Sequence, residues 1–176
     1  MINIKYSNNS GMTLIEVLLY ISLLSIMVIA ISAFTALALQ ARIKGQTIGE
    51  VEQSSAQAID IILTNIRFAK SINSPTRGNN ASNLSLTMPG VSQTVDFRLN
   101  SNKIEMQING AGYSAITFDK LAISTLNFAN TTKSTSVGAL GSVKVNFRSD
   151  YINNNGRNEY NFGKNFQGAA SQKVKQ

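Results

Sequence analysis

Two groups of side chains in this sequence have the types and spacing to do chemistry. The first is Gly11-Met12-Thr13-Leu14-Ile15-Glu16-Val17, where a glycine and, five residues on, a carboxylate stand at the edge of an apolar stretch. Gly11 has no side chain, so other groups can come close to its carbonyl. As a helix the stretch places Glu16 one turn beyond Met12, on the same face. In hydrocarbon a lone carboxylate is costly, and one paired with a cation is much less so. The second group is Asp150, Asn153, Asn155 and Glu159, oxygen ligands around Gly156 that could hold calcium. Their spacing lacks the acidic alternation of a helix-loop-helix calcium loop, and a solvated Asn-Gly turn is the favoured reading. Tyr113, Tyr151 and Tyr160 could line a binding surface, but aromatic residues in strands are mostly packing residues.

The missing residue types narrow the function further. The chain of 176 residues has no Cys and no His. Thiol nucleophiles, Cys/His zinc sites, imidazole bases and Ser-His-Asp triads are excluded together. No carboxylate pair, Gly-rich phosphate loop or nucleophile motif appears, so the expectation is a protein that is not an enzyme. The absence of Cys says nothing about redox compartment, because an exported domain can do without disulfides. The formal net charge is +7, from basic residues placed singly rather than in runs. A soluble basic surface accounts for this. Nucleic-acid binding is the sharper alternative, and the sequence offers it neither a recognition helix nor an aromatic stacking platform.

Around Gly11 the elements can be read from composition. Residues 1–11 are short and polar with Lys5 as their one charge, and Asn8 to Gly11 are poor helix formers. Val17 to Ala41 contains no charged residue. As a helix it spans roughly 37 Å, enough for a hydrocarbon core of ~30 Å. A conventional secretory signal would have a shorter apolar core and a small-residue cleavage site behind it. An ordinary transmembrane anchor fits the length but leaves Glu16 unexplained. Flanking charges are nearly balanced, with Lys5 on one side and Arg42 and Lys44 on the other, so they do not fix the orientation.

The segment Gly11 to Val17 with the apolar helix behind it resembles the prepilin peptidase motif of type IV pilins and pseudopilins. That resemblance implies cytoplasmic residues 1–11, removed by a prepilin peptidase that also N-methylates Met12. It implies membrane lipid around the helix before assembly, an inner-membrane assembly platform, and incorporation among other pilins of a pilus or pseudopilus. Glu16 would neutralise the N-terminal amine of a neighbouring subunit. The bulk of the chain would lie outside the cytoplasm as a single-pass protein of the bacterial inner membrane. Met12 departs from the phenylalanine most often found there, and the leader is thinly basic. The rival reading is a membrane-tethered binding module, for example one that captures DNA.

Beyond the anchor, Ile48, Val51, Ser55, Ala58 or Ile59, Ile62, Ile66, Ala69 and Ile72 recur at spacings of three and four, with Glu50, Glu52, Asp60 and Arg67 off the stripe. This predicts one long helix from about Met12 to Ile72, with a bend near Gly45. A loop over 74–82 precedes short alternating runs over 83–88, 94–99, 103–108, 114–118, 121–128, 142–148 and 159–166. Asn100-Ser101-Asn102 predicts a hairpin turn, and a Thr/Ser-rich loop is expected over 130–140. The tail from Gly168 is expected to fray. Segments 1–11, 12–41, 42–73, 74–167 and 168–176 are thus expected as leader, filament-core helix, amphipathic helix, sheet domain and flexible tail. The class is α+β with an antiparallel sheet. The layout matches the pilin-like fold, and the 95–106 hairpin with Asn65-Ile66-Arg67-Phe68-Ala69 most resembles J-type pseudopilins and W-type minor pilins. The anchor has no Pro, and no Cys pair closes a C-terminal loop as in many adhesive pilins.

Overall fold

The computed structural model describes residues 11–90, 93–133 and 140–173. The leader before Gly11, the middle of the Thr/Ser-rich loop and the last three residues lie outside them. The α+β expectation holds: among the described residues one long helix, α1 (Leu14–Phe68), precedes nine strands in two antiparallel sheets. By contact density the chain divides into Met1–Arg42 and Ile43–Gln176. In the first unit the helix keeps its apolar side chains exposed, from Leu14 at 81% to Phe34 at 74%. No Pro lies between residues 14 and 68, and the assignment is helical throughout, including at Gly45.

In the second unit the helix buries Thr47, Val51, Ser54, Ser55, Ala58, Ile62 and Ile66. Steps of three and four place them on one face, which forms the core with both sheets. Small residues at 54, 55 and 58 let the strands come close. Gly168 serves the same end from the other side, since a β-carbon there would stand 3.0 Å from the Leu63 Cδ1 and 3.1 Å from the Ile59 Cγ2.

One sheet contains β1 (Ser71–Ser74), β3 (Leu84–Thr87), β4 (Thr94–Asn100), β5 (Lys103–Ile108) and β6 (Ser114–Ala115), in the order β1-β3-β4-β5-β6. The other contains β2 (Asn80–Ala81), β7 (Leu121–Asn130), β8 (Ser142–Tyr151) and β9 (Gly163–Ser171), in the order β2-β7-β8-β9. The expected β4–β5 hairpin is present, with Asn100 opposite Lys103. Ser101 and Asn102 both take positive φ, 47° and 62°, as a two-residue turn matched to strand twist requires. Strand β8 alternates strictly, burying Val143, Val145, Phe147 and Ser149. Strand β7 changes phase: Leu121 and Ile123 are buried, then Leu126, Phe128 and Asn130. The irregularity lies between Ser124 and Asn127, at Thr125 with φ 56°. One extra residue there keeps the apolar side chains on the core face.

Several boundaries differ from expectation for tertiary reasons. The helix ends at Phe68 rather than Ile72 because the Lys70 N–H donates to the Thr87 carbonyl at 2.6 Å and Ile72 pairs with Leu86. Ile72 keeps its core contact, but from a strand. The strand expected at 114–118 pairs only through Ala115, since the Phe118 N–H donates to the Ser54 hydroxyl at 3.1 Å and draws the chain onto the helix. Within the loop expected at 74–82, Asn80 and Ala81 pair with Ala129 and Phe128. The strand expected from Glu159 begins at Gly163, after a 3-10 turn at Asn158–Tyr160. The frayed tail expected from Gly168 is corrected: residues to Ser171 pair with β8 throughout. The Gln172 amide then bridges the Gly141 N–H at 2.7 Å and the Ala69 carbonyl at 3.1 Å. Gly168 and Ala170 face inward as small residues, which leaves little hydrophobic signal in the sequence.

Phe97, with no exposed surface, sits among strands of both sheets and the helix. Phe97→Ala is expected to lower the unfolding free energy by about 3–5 kcal/mol, read from urea denaturation of the full chain. Phe68→Ala, at a half-exposed position, should change it much less.

Candidate functional site

The start of α1 is built by Thr13. Its carbonyl accepts the Glu16 N–H at 3.1 Å and the Val17 N–H at 3.2 Å, and its hydroxyl lies 3.4 Å from the Glu16 nitrogen. Thr13 is therefore the N-cap and Glu16 the third helical residue, which places a carboxylate in the turn where the helix dipole favours it. Thr13-x-x-Glu16 is a capping-box sequence, a signal the sequence carries beside the Gly11–Glu16 spacing. The Tyr20 hydroxyl donates to Glu16 Oε1 at 3.3 Å, one turn further on. Tyr20 was legible only through the i, i+4 rule. Gly11 and Met12 precede the helix and are exposed.

Behind Glu16 the helix hides its other polar side chains. Ser22, Ser25, Ser32 and Thr35 each donate to a carbonyl three or four residues back, at 2.7–2.8 Å. With these hydroxyls bonded internally, the segment suits an environment without water. It is long and apolar enough to cross a membrane, and none of its most apolar 18-residue window is buried. So large an uncovered apolar surface requires lipid or other apolar helices.

In the second unit, the charges expected off the apolar stripe tie the helix to the strands. Glu50 pairs with Lys120 at 3.1 Å and Glu52 with Lys164 at 2.6 Å. Lys44 donates to the Asn161 and Asn158 carbonyls at 2.7 and 3.2 Å. The four oxygen-bearing residues considered for calcium have other partners. Asp150 accepts from the Arg148 guanidinium at 2.8 and 3.0 Å, and Glu159 from Arg157 at 2.7 Å. Asn153 closes its own turn by bonding both the N–H and the carbonyl of Arg157, while Asn155 is exposed. Among the described residues no three His, Cys, Asp or Glu side chains gather as metal ligands. The three tyrosines do not form one surface: Tyr151 stacks on Tyr160 at 5.6 Å, whereas Tyr113 lies 3.5 Å from the Arg98 guanidinium.

An α+β protein with an uncovered apolar N-terminal helix is thus the class that fold and site define. Residues 6–35 match the profile of the prokaryotic N-terminal methylation motif. That match supports the pilin and pseudopilin family, whose members are structural subunits handled by a prepilin peptidase. No curated protein and no solved structure matches the chain.

The ion pairs give the second unit a defined pH response. A hydrogen bond from Asn100, reinforced by Arg98, holds Glu105 below the ordinary carboxylate range. Lys103 does the same for Asp119, and Arg157 for Glu159. Hydrogen bonding to Glu50 raises Lys120. Depressed carboxylates stabilise the fold above their unfolded pKa and lose that contribution as pH falls through the folded values. Lys120 contributes below its unfolded pKa and loses it as pH rises through its raised value. Thermal midpoints should therefore be flat from about pH 5 to 10 and fall below about pH 4. Asn100→Ala should lower the midpoint above about pH 5 and leave it little changed in acid, so that the fall becomes shallower. EDTA should leave the midpoint at pH 7 unchanged, and a fall of several degrees would reveal a bound cation.

Proposed function

We propose that the protein is a structural subunit of a type IV pilus or of a type II secretion pseudopilus, and a minor subunit rather than the bulk one. A prepilin peptidase cuts between Gly11 and Met12 and N-methylates the new Met12 amine. The subunit waits in the bacterial inner membrane with residues 43–176 outside the cytoplasm. An assembly platform then moves it among other pilins. The observation that carries this reading is the Gly11–Glu16 pattern at the entrance of an apolar helix, inside the segment that matches the methylation motif. The loop-rich sheet domain and the 95–106 hairpin favour a minor subunit of the J-type or W-type.

Glu16 has a defined part in this mechanism. Once Met12 carries a charged amine in lipid, the cheapest partner is a carboxylate on a neighbouring helix. In the single chain the Glu16 carboxylate is met by the Tyr20 hydroxyl, a neutral donor that an ammonium group can displace. Thr13 holds the helix start, so the carboxylate is presented from an ordered turn.

Two substitutions separate processing from assembly. Gly11→Leu should leave the eleven-residue leader attached, read as intact mass after membrane extraction. Glu16→Ala should be cleaved and membrane-inserted like wild type, yet be lost from sheared filaments or from cross-linked pseudopilin complexes. If Glu16→Ala assembles at the wild-type level, the helix is only a tether, and the protein is a membrane-bound binding module instead.

A further inference from the structure

None of the ion pairs among the described residues involves a residue lining a cavity of about 220 Å³ formed by Lys70, Ser71, Ile72, Arg77, Asn130, Thr132, Gly141 and Gln172. These residues come from three stretches without a single acidic residue: between Asp60 and Asp96, between Asp119 and Asp150, and after Glu159. Neither Lys70 nor Arg77 has an acidic partner among the described residues. Lys70 and Arg77, both exposed, thus line one open cavity with no carboxylate in its wall.

The hydrogen bonding of the wall sharpens the point. Asn130 donates to the Pro75 carbonyl at 2.9 Å, and its oxygen accepts from the Thr132 N–H at 3.2 Å and the Thr132 hydroxyl at 2.6 Å. The Thr132 hydroxyl accepts the Ser142 N–H at 2.9 Å. The Gln172 oxygen accepts the Gly141 N–H at 2.7 Å, and its nitrogen donates to the Ala69 carbonyl. The Ser71 hydroxyl donates to the Asn73 side chain at 3.3 Å. The amide oxygens and the Thr132 hydroxyl are thus already engaged, so the wall is ordered and short of acceptors. The strong donors left are the Lys70 ammonium and the Arg77 guanidinium, a point charge beside a two-pronged fork.

We propose that this cavity binds a single phosphate-type oxyanion, with Arg77 bridging two oxygens and Lys70 neutralising a third. A carboxylate offers the two cations one charge and two oxygens, whereas a phosphate offers up to two charges and a third oxygen for Lys70. The volume admits one phosphate group, either as the free ion or as one phosphodiester of a chain lying across the opening. This inference does not depend on the pilus reading.

Isothermal titration of the full-length protein in detergent micelles tests it, with inorganic phosphate added at constant ionic strength and acetate as the comparison anion. One saturable site for phosphate is expected, with acetate much weaker. Lys70→Gln and Arg77→Gln should each weaken phosphate about tenfold, as loss of a charge-assisted hydrogen bond does. Arg42→Gln removes the same charge elsewhere and should leave binding unchanged. Near-UV circular dichroism confirms that each variant is folded. Unsaturable heats, equal binding of acetate, or an equal effect of Arg42→Gln would overturn the assignment. Competition by oligothymidylate names a phosphodiester chain as the source of the anion, and its failure to compete names the free ion.

Discussion

The segment of α1 up to Ala41 presents apolar side chains on every face and covers none of them. A fully exposed leucine, isoleucine or phenylalanine forgoes about 1.5–3 kcal/mol relative to burial, and this stretch contains many in succession. Water cannot be the permanent surroundings of such a surface. The internal bonding of the serine and threonine hydroxyls removes the remaining reasons for water to enter. Glu16 then stands out as the one charged side chain from Gly11 to Ala41, and its position at the first helical turn gives it the dipole and the N-cap as support. The processing and assembly proposed for this chain would both draw on that contrast between one carboxylate and its apolar surroundings.

From Ile43 onward the same helix meets a different environment. The apolar side chains narrow to one face, and Ser54, Ser55 and Ala58 on that face admit strands at close range. Gly168 on β9 reciprocates. Packing of this kind is directional, because a larger residue on either side would force the surfaces apart. Glu50, Glu52 and Lys44 flank the contact and join the helix to Lys120, Lys164 and the turn at 158–161. Exposed pairs of this sort contribute little energy individually, but they select one orientation of strands on the helix.

Electrostatics divides the second unit into regions of opposite habit. Around β4, β5, β8 and the 3-10 turn, Arg98, Lys103, Arg148 and Arg157 each pair with a carboxylate, at Glu105, Asp119, Asp150 and Glu159. Around Lys70 and Arg77 the matching fails, since no acidic residue occurs in the stretches that build that cavity. A chain with a net charge of +7 must leave some cations unmatched. Two of them, Lys70 and Arg77, line one cavity.

The sequence by itself determined the local features: the glycine and carboxylate at the helix entrance, the apolar length, the three-and-four stripe, and the β4–β5 hairpin. Each rests on residues close together in the chain, so periodicity and turn chemistry suffice to read it. Tertiary structure alone decided where the helix stops, because Ile72 suits a helical stripe and a strand equally until Thr87 and Leu86 claim its neighbourhood. It also decided that the strands form two sheets, that Gly168 to Ser171 complete one of them, and that Lys70 and Arg77 share a cavity. Those outcomes depend on partners distant in sequence, and small residues such as Gly168 and Ala170 carry almost no hydrophobic signal of their own. The Gly11–Glu16 pattern belongs to the first kind. The company Glu16 keeps, with Thr13 three residues before it and Tyr20 four after, is local as well and belongs with it.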